Sequence, residues 1–118
     1  MALSENELNS ILTAQLTPPE RAASVVYAFV DPIPSGTKLQ FPGVNLEVPW
    51  EALLAFIDRE PQANWGHSCR YILINRKSGE VRSTEGRFPP FRQEELGRWR
   101  VAYQAPGVPD TLLAVPRK

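Results

Sequence analysis

The only histidine and the only cysteine of the chain, with one of its three tryptophans, fall within eight consecutive residues, Asn64-Trp65-Gly66-His67-Ser68-Cys69-Arg70-Tyr71. A histidine two residues from a cysteine is the raw material of a thiolate–imidazolium pair, which acts as a nucleophile. If Cys69 opens a strand, His67 and Cys69 project to the same side. Asn64 or Asp58 is then available to orient the imidazole, as the third member of a triad does. The surroundings argue the other way. Cysteine nucleophiles gain from the dipole of a helix N-terminus, whereas the segment after Cys69 reads as a strand. A free cysteine in such a place is more often a small core residue. A small cysteine-dependent enzyme or redox-sensitive protein using Cys69 with His67 is therefore the alternative reading, not the leading one.

His67 and Cys69 supply two metal ligands where structural zinc takes four. Asp58 and Glu60 add carboxylates at unsuitable spacing, so no metal site is expected unless a symmetric dimer shares one. Gly66-His67-Ser68-Cys69-Arg70 lacks the second glycine of a nucleophile elbow and is followed by a strand instead of a helix. The glycines stand singly at expected turns, and no phosphate-cradling loop occurs. No cofactor is expected.

The remaining chemistry is recognition. Residues 70–100 hold eight bases and four acids, whereas residues 1–69 hold three bases and eight acids. The basic stretch interleaves arginine with Tyr71, Phe88, Phe91 and Trp99, the composition of a single-stranded nucleic-acid binder. Against this, the chain as a whole carries no net charge and lacks the usual basic footprint. The acidic half is placed to cover those arginines. Tyrosine, tryptophan, arginine and proline-flanked phenylalanine are also the residues that concentrate energy in protein interfaces. The leading expectation is a non-catalytic binding or accessory protein. It recognises a protein or peptide through the 64–70 loop and the 86–92 loop, with Asn64, Trp65, His67, Arg70, Arg87, Phe88 and Phe91 as contact residues. Trp65 and the phenylalanines act as apolar anchors, and Arg70 and Arg87 take carboxylates. His67 donates or accepts a hydrogen bond.

The elements around these residues follow from spacing. Ser4 with Glu7 makes a capping box and Leu3 with Leu8 a hydrophobic staple, so a helix is expected over 4–16. Its stripe of Leu8, Ile11, Leu12 and Leu16 packs on the domain or docks a partner. Trp50, Leu53, Leu54 and Ile57 at i, i+3, i+4 and i+7 predict a second helix over 50–59. Strands are expected at 24–30, 38–41, 44–48, 71–75, 81–84, 99–103 and 112–115, separated by Pro- and Gly-rich turns. The 71–84 hairpin joins the two candidate loops at its open end, which brings them together.

The result is an α+β fold, a single domain over residues 1–118, with a mainly antiparallel sheet of about six or seven short strands and two helices. A chain of 118 residues suffices for one core. No apolar run approaches the roughly 20 residues of a membrane span. The N-terminus lacks the pattern of a signal peptide, and a single cysteine asks for no oxidising compartment, so a cytoplasmic protein is expected. A homodimer is compatible with the composition.

Overall fold

Two runs, VVYAF and ALLAFID, are buried at every position. A strand apolar on both sides has to be covered on both faces, and that requirement sets the architecture. The computed structural model describes residues 2–63 and 66–115. In it, β1 (Val25–Phe29) and β4 (Ala52–Asp58) lie side by side, flanked by β5 (Cys69–Asn75), β6 (Val81–Gly86) and β7 (Trp99–Gln104). The sheet order is β6-β5-β4-β1-β7, antiparallel throughout. A separate hairpin, β2 (Lys38–Phe41) with β3 (Val44–Glu47), turns at Pro42-Gly43.

Helix α1 (Glu5–Ala14) covers one face. Its capping box is formed as the sequence predicts, Glu7 N donating to Ser4 Oγ and Ser4 N donating to Glu7 Oε1. Leu8, Leu12 and Leu16 pack on Val26, Ala28, Leu53, Ala55, Ile57, Ile72 and Ile74. The stripe is thus spent on the chain's own sheet. Leu3 N donates to Arg76 O at 2.7 Å and pins the segment before the helix to the end of β5. On the other face, Tyr27, Leu54, Phe56, Tyr71 and Leu73 lie under the β2–β3 hairpin and the 87–99 segment. Phe91 packs edge-on against Tyr27, Phe56 and Trp99 there. The radius of gyration, 13.4 Å, matches the roughly 13.5 Å expected of one domain of this length.

The α+β class and the number of strands agree with expectation, but three elements differ. Residues 50–59 hold the central strand β4, not a helix. Because every residue from Ala52 to Ile57 is apolar, helical spacing is met by default and discriminates nothing. The second helix is instead α2 (Pro18–Ala23). There the tandem prolines occupy the first helical turn, which needs no N–H donors. Thr17 and Glu20 form its capping box. The 112–115 segment is not a strand but a 3-10 turn (Asp110–Leu112) leading to Val115, which plugs the core.

Glu20 does more than cap. It is 3 % exposed, and its two oxygens accept from Arg59 Nε at 2.8 Å and from Arg70 Nη2 at 2.8 Å and Nε at 3.2 Å. Burial opposes its ionisation, but the Thr17 amide and the two guanidinium groups outweigh burial and hold the carboxyl below its ordinary range. A lowered folded value means that ionised Glu20 stabilises the fold above the unfolded pKa near 4.5, and that this stabilisation is lost as pH falls through the folded value. Glu20→Gln leaves the two arginines without their shared counter-charge. Denaturant unfolding at neutral pH should show a loss of about 3 kcal/mol. Its stability should also fall less steeply than that of the wild type as the solution is acidified.

Candidate functional site

The last residue of β4, the first of β5 and the last of β6 stand in one row, Asp58 opposite Cys69 and Cys69 opposite Gly86. The loops leaving this row, 59–68 and the one after β6, meet at the same end of the sheet, as hairpin connectivity requires. His67 N donates to Arg87 O at 2.6 Å. The Phe88 carbonyl accepts from the Tyr71 hydroxyl at 2.6 Å and from Cys69 Sγ at 3.7 Å. Two core side chains thus hold the backbone of Phe88, while the residue as a whole stays 43 % exposed.

Two glycines make the arrangement fit. The Phe88 ring lies on Gly66 so closely that an added Cβ would stand 2.7 Å from Cε1. At Gly86 an added Cβ would stand 2.8 Å from Cε2 of Tyr71, whose ring crosses the strand there and stacks on Phe41. Above this floor is an open groove of about 430 Å³ lined by Gly43, Ser68, Glu85, Gly86, Arg87 and Phe88. Arg59 Nη1 donates to Ser68 Oγ at 2.8 Å and to Glu85 Oε1 at 2.6 Å, and Nη2 donates to Glu85 Oε2 at 2.9 Å. The Glu85 charge is therefore neutralised from beneath. Arg87 is exposed, and among the described residues its guanidinium has no partner.

His67, Asp58 and Cys69 come together, but not as a nucleophile and its base. His67 Nε2 is hydrogen-bonded to Asp58 Oδ1 at 2.7 Å, both side chains buried. Burial raises the Asp58 carboxyl above its ordinary range, and the His67 interaction opposes that rise. Cys69 is fully buried, and burial, followed by the Asp58 carboxylate, pushes its thiol up to about 11. A nucleophilic cysteine needs the opposite shift. Among the described residues no group of three or more His, Cys, Asp or Glu is placed to hold a metal ion.

Arg87, Phe88 and His67 lie at the joined loops. Asn64 and Trp65 fall outside the described residues. Arg70 points to the helical face, where Glu20, Ser83 Oγ and Gln15 O take its donors. The expectation that it meets a ligand carboxylate is thereby corrected, because four of its five N–H donors are spent on internal acceptors, its charge is paired with Glu20, and it lies on the face away from Phe88. Phe91 is partly buried and packs against the aromatic core. Ser68, Glu85, Gly86 and Gly43 were not singled out in the sequence. They carry no motif and matter only through their position around Phe88.

Several arginines of 70–100 are matched from the acidic half. Arg76 meets Glu5, Arg98 meets Asp31, and Arg100 meets Glu5 and Asn9. Arg82 lies 3.7 Å from Glu80 and faces the Trp50 ring. A phosphate chain needs a row of free cations, and these side chains do not make one. Among the described residues no helix is long and apolar enough to cross a membrane. No family model matches the chain, and neither a curated protein nor a solved structure matches it.

The state of Cys69 is checked by alkylation. Iodoacetamide at neutral pH should modify the native protein far more slowly than the denatured protein, as followed by mass spectrometry. Rapid labelling of the folded chain would restore the enzymatic reading.

Proposed function

We propose that this chain is a non-catalytic binding module that recognises a protein or peptide through the joined ends of the 64–70 and 86–92 loops, with Phe88 as apolar anchor and Arg87 as the carboxylate-pairing residue. One observation carries the reading. The chain uses two core donors, Tyr71 Oη and Cys69 Sγ, to immobilise the carbonyl of a residue whose ring faces solvent. A rigid exposed aromatic beside a groove binds without the entropy loss of ordering a loop. The Arg87 guanidinium next to it, without a partner among the described residues, supplies a charge-assisted, geometrically selective contact. His67 contributes by holding the two loops together through its backbone N–H and through Asp58. A buried, unpaired cysteine accords with a reducing compartment, and we take the protein to be cytoplasmic.

The test is selection of a random peptide library displayed on phage against the immobilised full chain. Enriched peptides should lose about tenfold in affinity against Phe88→Ala and against Arg87→Ala, with both variants unfolding at close to the wild-type temperature. A selection that enriches nothing, or peptides that bind both variants as tightly as the wild type, would contradict the reading.

A further inference from the structure

The groove continues onto a strand. Glu85 and Gly86, which line it, are the last residues of β6, and β6 forms one border of the five-stranded sheet. In an antiparallel ladder the N–H and C=O of one residue point to the same neighbour, and successive residues serve opposite sides. Asn75 N donates to Glu80 O at 2.8 Å, and Arg76 N donates to Glu51 O at 3.1 Å. The first bond sets the phase of the β5–β6 ladder. The second agrees with it from the far side of β5, because the even-numbered residues of that strand serve β4. With the register Leu73↔Arg82, Tyr71↔Thr84 and Cys69↔Gly86, the backbone groups of Arg82, Thr84 and Gly86 face β5. Those of Val81, Ser83 and Glu85 face away from the sheet.

The two borders of the sheet are not alike. β7 pairs with β1 through a register shift between Val26 and Tyr27, and its end is tied down by Tyr103 to Arg21 O and by Gln104 to Val108 and Asp110. β6 contains no proline, pairs in unbroken register, and among the described residues its outward backbone groups have no partner. Such an edge is a template for an added strand. Charge selects what is added. Glu85 is neutralised by Arg59 and Arg82 stands near Glu80, so among the described residues the unmatched charge at the end of β6 is that of Arg87.

Resting on the reading above, we propose that β6 receives an extended acidic peptide as a sixth strand. The peptide's backbone pairs with Val81, Ser83 and Glu85, and a carboxylate reaches Arg87 where the strand enters the groove beside Phe88. Backbone pairing supplies affinity along the edge, and the groove supplies selectivity at its end.

The experiment is amide hydrogen exchange of the full chain, free and saturated with a synthetic copy of the most enriched peptide from the library selection. Exchange at the Val81, Ser83 and Glu85 amides should slow by roughly tenfold or more on binding. Arg82 and Thr84, already bonded to β5, should change little. Ser83→Pro removes one outward N–H at a position where an edge strand tolerates proline. Ser83→Ala removes only the hydroxyl that accepts from Arg70. The proline variant should bind the peptide about tenfold more weakly than the alanine variant. If the proline variant does not fold, the exchange measurement decides alone. A peptide that requires Phe88 but leaves those amides exchanging as in the free protein overturns strand addition and leaves the binding module standing. A selection that enriches nothing overturns both. Protection already present in the free chain and lost on dilution means that a second copy occupies the edge, and it overturns the peptide as occupant.

Discussion

One buried carboxylate organises this molecule. Glu20 closes the capping box of α2 and neutralises Arg59, the residue that follows β4, and Arg70 from β5. Taking such charges out of water is costly, and the cost is offset only when every partner is in place. The arrangement is therefore close to all-or-none. Arg59 extends it, because the guanidinium that meets Glu20 on one edge holds Ser68 and Glu85 on the other. The wall of the groove is thus positioned by a network that begins at Thr17 in a short helix on the opposite face of the sheet.

Phe88 and Phe91 show how one loop serves two purposes. Pro89 and Pro90 between them fix φ and remove two backbone donors, which holds the segment extended. Phe91 is drawn into an aromatic cluster with Tyr27, Phe56 and Trp99, while Phe88 stays on the surface with its carbonyl fastened inward. The partly buried Phe91 anchors the loop, and the exposed Phe88 is displayed by it. Seating Phe88 on Gly66 couples the display to the loop that carries His67.

How far the sequence reveals this differs from one element to the next. The capping box of α1 and the β5–β6 hairpin are legible because their signals are local. β4 is not, because a strand buried on both faces loses the alternation that marks a strand. α2 is too short for any periodicity, and its tandem prolines look like a stop when they are a start. At the site, the meeting of the two loops follows from the hairpin between them. The separate fates of Arg70 and Arg87, or of Phe88 and Phe91, do not. In each pair the side chains are alike, and only the tertiary structure decides which one finds an internal partner.

The order of the sheet also bears on how the chain is made. β4, β5 and β6 are consecutive and form a meander from local contacts, which close quickly. β1 is synthesised before them, yet it lies between β4 and β7, with Val25 opposite both Asp58 and Gln104. On the ribosome, where chains emerge from the N-terminus, this apolar strand waits for its second neighbour until β7, seventy or more residues further on, has appeared. α1 and α2 precede it, and they can cover only the one of its two faces that they pack on in the finished protein. The nascent chain therefore passes through a stage in which its most hydrophobic face is half dressed.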